Sequence, residues 1–156
     1  MSSGTSVFSG SNLASARTGG TAYADSMLLL GRLLLGIIFV LSGYGKLMGL
    51  AAFAASLEKN GVPFASVIAP LGAAVEFFGG LAIVLGIEVR YAALLMVLFV
   101  IVATGISHRF WEQADAAMQR GQQVHFMKNV AIAGGFLVLH VAGGGRLALE
   151  RLWRRA

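Results

Sequence analysis

Four stretches of the chain carry almost no charge and follow neither the alternation of a half-buried strand nor a single apolar stripe. They lie at about 26–46, 64–87, 91–108 and 124–143. About 20 residues of helix cross a ~30 Å hydrocarbon core, so each is long enough, or nearly so, to span a membrane. The first run, Ser26–Lys46, also has a secretory leader as a rival reading. Arg32 inside it, and its length before the small-residue site at Ala52-Phe53-Ala54, favour a span.

The breaks between the runs are as informative. Leu50–Lys59 predicts a short helix, closed by the turn signal Asn60-Gly61-Val62-Pro63. Pro70 falls within the first two turns of the second span, where a helix tolerates it. Glu88-Val89-Arg90 is a very short connection, which makes the second and third spans antiparallel neighbours. Phe110, Trp111, Ala114, Ala117 and Met118 recur at helical spacing among Glu112, Asp115, Gln119 and Arg120. That predicts an amphipathic helix over 110–123 lying at the interface. Gly143-Gly144-Gly145 stops the last span. The expected fold is therefore all-α, an integral membrane antiparallel four-helix bundle with a short amphipathic interfacial helix between spans three and four. This membrane domain covers 26–145. Residues 1–25 read as a flexible Ser/Gly-rich tail and 146–156 as a basic interfacial tail.

Composition strengthens this picture. Of 156 residues, 57% are apolar and 12% charged, where soluble domains carry roughly 25% charge. Too few polar side chains remain to cover a globule, so lipid must cover much of it. The net charge of +5 resides mostly at helix ends and in the tail, which suits lipid headgroups and not nucleic acid. Arg17, Arg90, Arg146, Arg151, Arg154 and Arg155 share the side of the termini. Lys46, Lys59, Arg109, Arg120 and Lys128 lie toward the other. The excess predicts both termini in the cytoplasm. With no cysteine, disulfides and thiolate sites are excluded.

Ionisable groups inside spans are the candidates for chemistry, because a charge mid-bilayer costs about 2.5–3.5 kcal/mol on insertion scales. Glu76 stands near the middle of the second span, among Gly72, Gly79, Gly80 and Gly86, which permit close packing or a cleft. It is the candidate proton acceptor, and Arg32 the cation expected to reach it. The two catalytic candidates have a plain alternative, a structural latch. Lys46, His108 and Asn129 lie near the outer end and are the candidate ligand-binding residues. For Lys46 the plain alternative is snorkelling to the interface. His108, His125, Glu112 and Asp115 match no metal-ligand spacing, so no metal site is assigned. His140 and Asn129 most simply hydrogen-bond within the bundle.

The arrangement Arg32-x3-Gly36-x6-Gly43-x2-Lys46, followed by Glu76 with Gly79-Gly80, resembles the DoxX family of small bacterial membrane proteins. His108 at the end of the third span and Asn129 in the fourth fit the same pattern. The resemblance covers roughly 26–145 and implies a four-helix inner-membrane protein associated with a redox system. On that reading the chain binds a quinone or similar lipophilic molecule, Glu76 relays protons, and electrons come from a partner redox enzyme subunit. If the chain is an enzyme, it is an oxidoreductase subunit with no intrinsic cofactor. The alternative is a non-catalytic scaffold or assembly subunit of a membrane complex, or a small transporter working as a homo-oligomer. Both alternatives take membrane lipids as surroundings, and neither involves nucleic acid.

Overall fold

A computed structural model describes the backbone of residues 10–153 and the side chains of residues 21–152. The described chain is helical: α1 (Gly10–Met48), α2 (Leu50–Lys59), α3 (Ala65–Leu85), α4 (Val89–Ser107), α5 (Ala116–Ala142) and a final turn, α6 (Glu150–Trp153). A 3₁₀ turn at Phe110–Glu112 joins α4 to α5. Four helices are long and apolar enough to cross a membrane, Thr21–Met48 within α1, α3, α4 with the following turn, and α5. They form the antiparallel four-helix bundle expected.

Glycines set the closest contact. A β-carbon on Gly43 of α1 would lie 2.6 Å from the Phe77 backbone nitrogen of α3. One on Gly36 would lie 2.9 Å from the Gly80 carbonyl, and one on Gly80 would meet the Gly36 carbonyl at 3.0 Å. The two backbones therefore touch with nothing between them, the small-residue packing that membrane helices use in place of a hydrophobic drive. Gly79, beside Gly80, opens instead onto α4 and receives the Met96 side chain. Phe39, Ile83, Ala93, Met96, Val97, Val100, Ala133 and Phe136 fill the centre. Leu33, Leu34, Ile37, Ile38 and Leu41 point outward, where lipid chains would cover them. The α2 helix folds back over the start of α3, burying Leu57 against Ala65 and Ala69.

Three segments differ from the sequence expectation. Helix α1 begins at Gly10, so it runs back through part of the expected tail, which has no proline to stop it. The interfacial element is no separate helix. Asp115 caps Met118 N–H at 2.8 Å, and from Ala116 the helix continues without a break into the fourth span. Gly121 alone is too weak a breaker to end it. The third difference is the C-terminal segment, whose described part is a strap across the bundle end. Gly143 and Gly145, at φ +77° and +74°, turn the chain back. Leu149 and Glu150 then donate their N–H groups to the Leu85 and Gly86 carbonyls, at 3.2 and 2.9 Å. These carbonyls end α3 and lack helical partners, so the strap satisfies what the helix leaves open. The first nine residues and the last three lie outside the described residues.

Candidate functional site

Along α3 the buried positions Ala69, Ala73, Glu76, Gly80 and Ile83 recur at helical spacing, so Glu76 stands on the inward face. Its partner is Lys46, not Arg32. Lys46 Nζ donates to Glu76 Oε2 at 2.5 Å. The same ammonium donates to Ser42 Oγ at 3.2 Å, one turn back on α1. It also lies 5.3 Å from the centre of the Phe53 ring on α2, within cation–π range. The Glu76 side chain is 4% exposed and that of Lys46 33%. The acid is thus sealed in the bundle, while the lysine side chain is partly open.

The register explains the choice of partner. Gly43 lies against Phe77, so the last turn of α1 passes beside Glu76. Arg32 stands 14 residues earlier, about 21 Å along the helix axis. There it falls opposite Gly86, where any side chain would run into the Arg32 guanidinium. Arg32 is fully buried. Its Nη2 donates to the Leu147 carbonyl of the strap at 2.9 Å, and Glu150 is the carboxylate that acts on it electrostatically. Nε and Nη1 have no hydrogen-bond partner among the described residues.

The remaining candidates pair across α4 and α5. Asn129 donates to Thr104 Oγ1 at 2.9 Å, satisfying an amide that lipid could not. His108 Nδ1 donates to Gln122 Oε1 at 2.8 Å, and its ring stacks on His125 with centroids 5.2 Å apart. Arg109 ties this end to α2, donating to the Asn60 carbonyl at 3.0 Å and to Glu112 at 3.1 Å. Glu112 accepts from Arg109, and Asp115 caps α5. His140 donates from Nδ1 to the Arg90 carbonyl at 2.8 Å, joining α5 to α4. Lys46, Glu76, His108 and Asn129 therefore share the half of the bundle away from the termini, as pairs between different helices. Arg32 belongs to the opposite end. Sequence reasoning missed Ser42, Thr104, Gln122 and Glu150. Only Ser42, four residues before Lys46, carried a visible signal.

Comparison with known proteins follows the same residues. The DoxX family pattern matches residues 27–109, which include Arg32, Lys46, Glu76 and His108. Inner membrane protein YqjF of Escherichia coli (strain K12) is 36% identical over 129 residues, covering 82% of this chain and 92% of its own. The chain belongs to the DoxX family. A second relative, inner membrane protein YphA of the same organism, is 30% identical over 80% of this chain and 89% of its own. No solved structure matches. Relatives of the inner membrane and four apolar helices make this DoxX-family chain a bacterial inner-membrane protein.

Proposed function

We propose that this protein serves a membrane redox system by binding the polar head of a lipophilic molecule, of the quinone class, at Lys46–Glu76. The carrying observation is the asymmetry of that pair within the bundle: a sealed carboxylate held by a lysine whose side chain is one-third exposed. The Lys46 ammonium has three protons and gives two of them to Glu76 and Ser42, so the third is left to donate to a quinone carbonyl, and the buried carboxylate behind it accepts or returns a proton. Reducing a quinone takes up two electrons and two protons. The electrons come from a partner redox enzyme and the protons pass through the pair. Intramembrane ionisable groups are costly, which supports a use beyond packing. Arg32 has no part in this site. Both termini face the cytoplasm on this reading, since Arg90, Arg146 and Arg151 gather at their end.

The test is thermal unfolding of detergent-purified protein, followed by far-ultraviolet circular dichroism, with short-chain ubiquinone and menaquinone analogues. The wild type should rise in Tm with at least one of them, and Glu76→Gln should lose the rise. No shift with any quinone, with the same baseline in Glu76→Gln, overturns the reading.

A different observation favours the scaffold alternative. Phe110, Trp111 and Phe126 form an edge-to-face cluster at the outer end, with Trp111 more than half exposed. Affinity purification from native membranes separates the two. A partner lost on Trp111→Ala, with no quinone binding, supports the scaffold.

A further inference from the structure

A second polar opening lies at the end of the bundle that holds Arg32, far from Lys46–Glu76. It is a cavity of about 320 Å³ between the start of α4, the end of α5 and the strap, lined by Arg90, Gly143, Gly144, Gly145, Glu150 and Arg151. At ~30 Å³ per liquid water, it has room for about ten waters. The Arg90 guanidinium stands close over Gly143, where a β-carbon would lie 3.3 Å from Nε. His140 holds the Arg90 backbone in place from α5. Neither the Gly144 nor the Gly145 amide is hydrogen-bonded to another described residue.

The charges do not cancel. Glu150 is already engaged: its Oε2 accepts from Val89 N–H at the start of α4, at 3.1 Å, and Arg32 acts on it from the buried side. Arg146 is committed to Asp25, which accepts its backbone N–H at 2.7 Å. Arg90 and Arg151 have no ion pair with another described residue. Two arginines lining one small cleft, beside two glycines whose amides bond no described residue, match a phosphate group, which takes several donors at once. The cleft sits where α4 begins and α5 ends, the level at which headgroups would surround spans of this length.

We propose that this cleft binds the phosphate of an acidic phospholipid, with Arg90 and Arg151 as its two charged contacts. The lipid thereby fastens the strap to the bundle end.

The test is native mass spectrometry of the full chain from detergent with added phosphatidylglycerol or phosphatidylcholine, and with inorganic phosphate. Arg90→Gln, Arg151→Gln and the double variant are compared with Arg120→Gln, which removes the same charge at the opposite end. Both cleft arginines are solvent-exposed, so the substitutions leave the core intact. Phosphatidylglycerol should be retained over phosphatidylcholine by the wild type and by Arg120→Gln. Retention should fall roughly fivefold for each cleft arginine removed. Circular dichroism should show a phosphatidylglycerol-dependent rise in Tm that the double variant lacks. Equal retention of the two lipids, or an undiminished preference in the double variant, overturns the proposal. So does protection by inorganic phosphate alone equal to that by the lipid, which would assign the cleft to a soluble anion.

Discussion

At the scale of single residues, the Lys46–Glu76 pair predicts an unequal response to losing either partner. Lys46→Met strands a carboxylate that is 4% exposed in the bundle. Removing one member of a buried pair costs about 3–5 kcal/mol, and the half-open setting lowers this to roughly 2–4. Glu76→Gln leaves a lysine that is already one-third exposed and can swing to the interface, so it costs less. The double variant should recover part of the Lys46→Met loss. Unfolding free energies of the four proteins in mixed micelles check the cycle. Equal single losses that simply add would show two independent residues. The sequence made both groups visible but not their pairing. Arg32 and Lys46 each had the charge to meet Glu76, and the contact of Gly43 with Phe77 shows that Lys46 is the one alongside.

Among elements, the α1–α3 contact is where the bundle has least slack. Gly43→Ala puts a methyl 2.6 Å from a backbone nitrogen, where no side-chain rotation relieves it. The helices must part, at a cost of about 1–3 kcal/mol, and Lys46 is drawn away from Glu76 as they do. Gly105→Ala, in open space on α4, serves as the control and should hold or raise Tm, since alanine favours the helix over glycine. A matching loss in both variants would show that the close approach is not what holds α1 to α3. Elements were the most legible level of this chain. The short helix Leu50–Lys59 is found with those bounds, because Lys59-Asn60-Gly61 ends it chemically. The segment 110–123 was misread because its amphipathic spacing is that of any exposed helix end. Nothing in periodicity distinguishes a separate helix from the first turns of a longer one.

For the whole molecule, the strap decides whether the end of the bundle is closed. Truncation after Gly145 removes the Leu147 carbonyl from Arg32, the caps from α3 and Ala148 from the interior. A lower Tm is expected, and Arg32→Met in the truncated chain should restore part of it by removing the orphaned charge. If Arg32→Met worsens the truncated chain as it does the full one, the strap is not the arginine's support. The strap was illegible in the sequence for a physical reason. Its hold on Arg32 is a backbone carbonyl, which every residue has, so no side chain announces it.

The bond from Arg32 to Leu147 joins positions 115 residues apart. During synthesis the arginine therefore enters the bilayer long before its acceptor exists. At ~5–20 residues per second the delay is roughly 6–23 s. Throughout that interval the first helix carries an unmatched cation, and the nascent chain depends on the translocon, water or lipid phosphate to shelter it. A chain ending at Arg146 would hold all four described spans and still lack the carbonyl that Arg32 requires.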